Sequence, residues 1–168
     1  MQESDETSKK NPFEAQFLVA FCNYLILQGY APEDVTILTT YNGQLYQFAQ
    51  ERKKFANLRK VRIAVVDNYQ GEESKIILLS LVRNNSDKKI GFLALKNRIC
   101  VALSRAREGL FVMGNMDLLA KNSPIWQEIQ TELLQQMSIS DELLLRCQTH
   151  ENVTRVSFVF CFLRLYVK

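Results

Sequence analysis

The chain has 168 residues, of which 47% are hydrophobic and 23% are charged, and its net charge is +3. These values are typical of one soluble α/β domain with a full core. No apolar run reaches the roughly 18 residues of a membrane span, and the polar N-terminus is unlike a secretory signal. The charge is too small to establish a nucleic-acid partner. Four widely spaced cysteines favour a reducing, intracellular setting in the cytoplasm, the nucleus or both.

The first helix is marked at both ends. Asn11 is suited to cap its N-terminus, Pro12 suits its first turn, and Glu14 completes a capping-box pattern. Gly29 can end this helix. Further along the chain, β-branched and apolar runs alternate with amphipathic stretches. This pattern predicts strands over 35–41, 61–67, 75–83 and 109–115, and helices over 42–58, 95–106 and 123–137.

The order of these elements predicts the kind of sheet. Continuous apolar strands alternating with helices are typical of a mainly parallel sheet with helices on both faces. Polar segments follow the first two strands, "TTYNGQ" and "DNYQGEE", and an arginine-bearing segment, "NRICVALSRAR", comes one element later. Because ligands gather at the carboxyl ends of parallel strands, we expect the three segments to converge there.

The predicted domain spans residues 11–137 and follows a linker over 1–10. From residue 138 onward the periodicity weakens, so 138–168 is predicted to be an irregular tail. Within it, Cys147 and His150 have the spacing of metal ligands. A closed zinc site needs four ligands, and Cys161 is the sole further candidate, so no metal site is predicted.

The loop "NYQGEES" is the first candidate for chemistry. Gly71 suits a tight turn or a close backbone approach to a ligand. Gln70 offers both donors and an acceptor, which suits contact with a nucleotide. From spacing alone, an ordinary polar turn between two elements is the favoured alternative.

The second candidate is the arginine pair in "LSRAR". On a helix, Arg105 and Arg107 would point about 200° apart, which argues against one shared role. A guanidinium is the natural partner of a phosphate and can stabilise the charge of phosphoryl transfer. A pair of surface or salt-bridged arginines is the alternative.

Several segments in order resemble superfamily 1 helicases. "VDNYQGEESKIILLSLVRNN" and "NRICVALSRAREGLFVMGN" resemble motifs V and VI, while "VTILTTYNGQ" and "SKKNPFEA" are similar to the motif IV region and the start of the same domain. The most similar branch contains the nonsense-mediated-decay helicase. "GNMDLLAKNSPIWQEIQ" and "LLLRCQTHENVTRV" narrow the likeness to the helicase family with NF-X-type zinc-finger repeats, which acts in RNA silencing, heterochromatin formation by small RNA and antiviral defence.

The resemblance implies a RecA-like domain of the P-loop NTPase class, forming the C-terminal half of a helicase core. It implies that Arg105 is the arginine finger that reaches the γ-phosphate of ATP. The residues that it places near the nucleotide are Glu73, Gln70, Gly71 and Arg107, and those that it places near nucleic acid are Thr39, Thr40, Tyr41 and Asp67. A core aromatic is the alternative for Tyr41. Asn11 and Glu14 could also touch the nucleotide, although the capping box explains them.

The sequence lacks the other half of an ATP site. It contains no G-x-x-x-x-G-K-[ST] loop and no Asp-Glu strand end. We therefore expect the chain alone neither to bind ATP tightly nor to hydrolyse it. The resemblance implies that ATP and Mg²⁺ are shared with an upstream RecA-like domain and that single-stranded RNA is the partner. The alternative is a non-catalytic RNA-binding or interaction fragment.

Overall fold

Four parallel strands form the centre of the structure. The structure, a computed structural model, describes residues 9–82, 90–146 and 153–166, without the side chains of residues 92 and 158–166. With two further strands they form a six-stranded sheet, whose strands are β1 (Val35–Thr39), β2 (Arg62–Val65), β3 (Ser74–Ser80), β4 (Ala106–Gly114), β5 (Ile139–Arg146) and β6 (Val153–Tyr166). Their order in the sheet is β2-β1-β3-β4-β6-β5, and the first four are parallel.

Helices cover both faces of the parallel strands. They are α1 (Pro12–Leu27), α2 (Asn42–Arg52), α3 (Lys96–Leu103), α4 (Met116–Asn122) and α5 (Pro124–Gln135). Successive side chains of a strand point to opposite faces, so Ile76 and Leu78 of β3 pack with α1 and α2, while Ile77 and Leu79 pack with α3, α4 and α5. The predicted α/β fold, with a parallel RecA-like sheet between two helical layers, is confirmed.

The ends of α1 are those that the sequence predicts. Asn11 caps the helix, since its Oδ1 accepts a hydrogen bond from the backbone N–H of Glu14 at 3.2 Å. Pro12 is the first helical residue. Gly29, with φ +104°, follows the last turn in the left-handed conformation that favours glycine.

Other boundaries differ from the predicted ones. The helix predicted over 42–58 ends at Arg52, the helix predicted over 95–106 ends at Leu103, and α4 was not predicted. No helix in the described ranges is long and apolar enough to cross a bilayer.

The prediction of an irregular tail over 138–168 is wrong for the residues that the structure describes. β6 pairs antiparallel with β4 on one side and with β5 on the other. β5 also buries Leu143 beneath α1. In β5, Leu143, Leu144 and Leu145 are consecutive rather than alternating with polar residues, so no period of two marks the strand in the sequence. The domain boundaries stay a prediction, and residues 1–8, Cys147 and His150 lie outside the described residues.

Close packing at the end of β4 generates a test of the fold. A Cβ at Gly114 would lie 2.8 Å from Leu81 Cβ and 3.0 Å from Leu81 Cδ1. We expect Gly114→Ala to lower the free energy of unfolding by about 1–3 kcal/mol, because β4 must move away from Leu81. Urea denaturation measures the change. The control Glu128→Ala, on the exposed face of α5, should stay within about 0.5 kcal/mol of the unsubstituted protein. Equal midpoints for the two variants would contradict the packing.

Candidate functional site

The predicted site residues lie at two opposite edges of the parallel sheet. Glu72 and Glu73 directly precede β3, and Arg105 directly precedes β4. The backbone N–H of Ser74 donates to the Arg105 carbonyl at 3.1 Å, which joins the two at the edge where parallel strands begin, the amino edge. Residues 39–41 end β1 at the opposite, carboxyl edge. The expected convergence of all three segments is wrong, because the chain runs back across the sheet before β3 begins.

Arg105 is half-buried in the turn between α3 and β4. Its Nε donates to the Val101 carbonyl at 3.0 Å, its Nη1 to the Glu72 carbonyl at 3.3 Å, and its Nη2 to Ser104 Oγ at 2.7 Å. The prediction of a helix through Arg105 is wrong, since the chain leaves α3 at Leu103 to pair with β3. Neutral acceptors thus fix the guanidinium. No carboxylate of the described residues forms an ion pair with it.

Arg107 is exposed near the start of β4. Its Nη1 lies 3.7 Å from Glu73 Oε1. Both arginines therefore contact the loop before β3, Arg105 through the Glu72 carbonyl and Arg107 through the Glu73 carboxylate. The predicted separation of the two arginines by about 200° is wrong, because neither residue belongs to α3.

The loop between β2 and β3 has an anchor that the sequence does not reveal. Both Nη atoms of Arg62 donate to the Glu72 carboxylate, with Nη2 2.6 Å from Oε1, and its Cζ lies 5.0 Å from the Tyr69 ring centre. Gly71 turns the loop with φ +81°. Gln70 is exposed, and its side chain hydrogen-bonds to none of the described residues. No motif links Arg62 to a residue ten positions away.

The residues predicted to meet nucleic acid after β1 are buried. Their exposed fractions are 0% for Thr39, 3% for Thr40 and 4% for Tyr41. Thr40 Oγ1 donates to the Leu81 carbonyl at 3.5 Å, and Tyr41 packs in the core beside Leu38. A phosphate contact needs exposed side chains, so burial favours the core alternative for Tyr41.

Asp67 lies just after β2 at the carboxyl edge. Its Oδ2 is 3.3 Å from an Nη of Arg98, on α3. This ion pair connects the end of β2 to α3, whose Val101 carbonyl accepts a hydrogen bond from Arg105. The Asp67 carboxylate is therefore paired with Arg98, on the helix that leads to the start of β4.

A buried carboxylate, Glu14, lies at the carboxyl end of β3. Its Oε2 accepts hydrogen bonds from Ser80 Oγ at 2.5 Å and from the Val82 N–H at 3.0 Å, and its Oε1 accepts one from Asn11 Nδ2 at 2.9 Å. Val82 has φ +66°, a conformation that is strained for a β-branched residue. Glu14 therefore holds a strained strand end and, with no exposed surface, does not face a nucleotide.

Gln44 completes this buried network. Its Nε2 donates to Ser80 Oγ at 3.1 Å and to the Asn11 carbonyl at 3.0 Å, while its Oε1 accepts from the Asn11 N–H at 2.7 Å. Sequence reasoning missed Gln44, because glutamine in the first turn of an amphipathic helix is usually a surface residue. The fold alone brings it to α1 and β3.

The amino edge fits a phosphate group better than it fits a divalent cation. Arg105 has a fixed guanidinium without a carboxylate partner among the described residues. Glu72 and Glu73 are each paired with an arginine. The described part of the chain contains no group of three or more side chains that could hold a metal ion. The described residues of this edge therefore offer a fixed guanidinium to an anion and no ready ligand set to Mg²⁺.

The Glu14 network generates a pH test. Burial raises the pKa of Glu14 from 4.5 to about 7, although hydrogen bonds from Ser80 and Val82 act against the rise. The folded state therefore holds this proton more tightly than the unfolded chain does. The stability that protonated Glu14 contributes is complete below about pH 4.5 and is lost as the pH rises through about 7, with a change of at most about 3.5 kcal/mol.

We expect Glu14→Gln to remove this slope from the pH dependence of stability, because an amide does not titrate. Urea denaturation of both proteins between pH 5 and pH 8 measures it. Other titrating groups are common to the two chains and cancel in the comparison. Equal slopes would show that Glu14 titrates at its ordinary pKa in the folded protein.

Comparison with known proteins places the chain in a family. Residues 1–117 match the AAA domain family. Human NFX1-type zinc finger-containing protein 1 is 50% identical over 153 residues, covering 89% of this chain and 8% of that protein. The Schizosaccharomyces pombe helicase required for RNAi-mediated heterochromatin assembly 1 is 45% identical over 134 residues, covering 79% and 13%. Dictyostelium discoideum regulator of nonsense transcripts 1 is 35% identical over 131 residues, covering 75% and 10%.

The predicted likeness to the helicase family with NF-X-type zinc-finger repeats, and to the branch that contains the nonsense-mediated-decay helicase, is confirmed. The chain spans only 8% to 13% of the length of these relatives. The family match covers most of the chain and all four parallel strands as far as the end of β4. The chain therefore belongs to the AAA domain family, as a RecA-like domain of the superfamily 1 helicase type.

Proposed function

We propose that the chain forms the second RecA-like half of an ATP-dependent RNA helicase, in which Arg105 contacts the γ-phosphate of ATP held by an upstream RecA-like domain. The observation that carries the proposal is the state of Arg105. Its side chain is fixed by three hydrogen bonds, yet all three acceptors are neutral. The positive charge is left for an anion from outside the described residues.

The hydrogen-bond donors of Arg105 support this role. A guanidinium carries five N–H groups, and three are used by the Val101, Glu72 and Ser104 acceptors. The remaining two are one on Nη1 and one on Nη2. Two donors on neighbouring nitrogens match two oxygens of one phosphate group, as in bidentate arginine–phosphate contacts.

Arg107 and Glu73 have a supporting role in this proposal. A free carboxylate beside the phosphates would repel them. The ion pair with Arg107 offsets the Glu73 charge, so the carboxylate can lie near the nucleotide without strong repulsion. Gln70, which is exposed on the same loop, is free to contact either the nucleotide or the other domain.

ATP supplies the phosphoanhydride bond whose hydrolysis drives movement along nucleic acid. Arg105 stabilises the charge that develops on the transferred phosphoryl group. Mg²⁺ would be held by the upstream domain.

RNA is the proposed partner, since the names of two relatives refer to RNAi and to nonsense transcripts. The RNA would cross the carboxyl edge by contacting side chains other than those of Thr39 and Tyr41, which are buried. This function places the protein in the cytoplasm, the nucleus or both.

Substitution of Arg105 tests the proposal in a polypeptide that joins this chain to a RecA-like domain with both Walker motifs. We expect Arg105→Ala to lower kcat for RNA-stimulated ATP hydrolysis by about 10³-fold or more, because the developing charge loses its partner. Binding of single-stranded RNA, measured at one salt concentration, should change by no more than about twofold. The matched control is Arg59→Ala, which removes an exposed arginine from the segment between α2 and β2.

Undiminished turnover in the Arg105 variant would reject the assignment. A joined protein that hydrolyses no ATP, with an isolated chain that binds RNA with a steep salt dependence, would instead favour the RNA-binding fragment.

A further inference from the structure

We propose that Arg62 is a positioning residue for Arg105, acting through the carboxylate of Glu72 to fix the backbone carbonyl that Arg105 contacts. The positioning itself depends only on the geometry of the amino edge. Its consequence for catalysis rests on the proposed function of Arg105.

Arg62 is held on two sides. Both of its Nη atoms donate to the two carboxylate oxygens of Glu72, which is the bidentate geometry that arginine forms best. Its Cζ lies 5.0 Å from the ring centre of Tyr69, within the range of a cation–π contact. Tyr69 is only 2% exposed, and its hydroxyl lies 3.4 Å from Thr36 Oγ1 on β1. The Arg62 guanidinium is therefore anchored to the core.

The loop that Arg62 anchors is the one that Arg105 contacts. The Glu72 N–H bonds to the Tyr69 carbonyl at a long 3.4 Å, and the Glu72 carbonyl accepts from Arg105 Nη1 at 3.3 Å. Gly71 lies between Tyr69 and Glu72 in the chain. Nothing lies within 4 Å of the position that a Cβ would take there. A glycine in open space leaves the backbone free to turn. The Arg62–Glu72 pair therefore adds a bidentate restraint on Glu72 to the one long hydrogen bond within the loop.

The exposure of the pair predicts which property depends on it. Arg62 is 50% exposed and Glu72 41%, so the pair contributes little to the stability of the whole fold. Its effect is local, on the direction of one carbonyl. Loss of the pair should therefore leave unfolding almost unchanged while loosening one of the three contacts of Arg105.

A charge exchange tests the positioning in the 168-residue chain. In Arg62→Glu, two carboxylates face each other and the loop moves. We expect rotation about the Arg105 Cζ–Nη1 bond, measured by NMR line shapes of the guanidinium, to become at least about threefold faster, since a hydrogen bond slows it. The double variant Arg62→Glu/Glu72→Arg restores the ion pair, and the rate should return toward that of the unsubstituted chain. Arg59→Glu, with the same change of charge, should leave the rate unaltered.

The same variants test the catalytic consequence in the joined two-domain polypeptide. We expect Arg62→Glu to lower kcat for ATP hydrolysis about fivefold, with KM for ATP unchanged, and the double variant to recover most of the loss. An unchanged Arg105 rotation rate in Arg62→Glu, or a failure of the double variant to restore it, overturns the proposal. If rotation responds as expected but Arg105→Ala retains full turnover, the positioning stands and the arginine-finger function fails.

Discussion

The hydrogen bond from the Ser74 N–H to the Arg105 carbonyl sets the geometry of the amino edge. It brings the first residue of β3 beside the residue that precedes β4, because the two strands run parallel. The loop before β3 and the turn before β4 must then be neighbours. The Glu72 carbonyl meets the Arg105 guanidinium, and the Glu73 carboxylate meets Arg107. A shift in strand register would break all of these contacts together.

Charge balance at this edge shows why the total charge of the chain reveals so little. The cations and carboxylates of the amino edge are mostly matched, with Arg62 on Glu72, Lys75 on Asp34 and Arg107 on Glu73. These pairs cancel in any count of residues. Arg105 differs from these three pairs, because its three acceptors are neutral. Its distinguishing feature is thus a guanidinium that three neutral acceptors fix in place, and no sum over the sequence can show it.

Local signals account for what the sequence predicted well. The Asn11 cap, the proline after it and the apolar runs of β1 and β3 depend on neighbours in the chain, so α1, the parallel strands and the fold class could be predicted. Contacts between distant residues could not. Gln44 reaches Ser80, and Arg62 reaches Glu72, only after the sheet has formed. The placement of Arg105 on a helix was wrong for the same reason, because pairing with β3 overrides helical propensity after Leu103.

The two ends of β3 are held by interactions of different strength, which suggests where motion occurs. At the carboxyl end, the Glu14 carboxyl group is fully buried and accepts three hydrogen bonds, so breaking these bonds would leave polar groups without partners in the core. At the amino end, the ion pairs of Glu72 and Glu73 are half-exposed and each contributes at most about 1 kcal/mol. A site that binds and releases phosphate in turn needs contacts that open easily on a frame that does not move. The loop around Gly71, rather than β3, is therefore the part that moves more easily, and under the proposed function it is the part that would respond to a nucleotide.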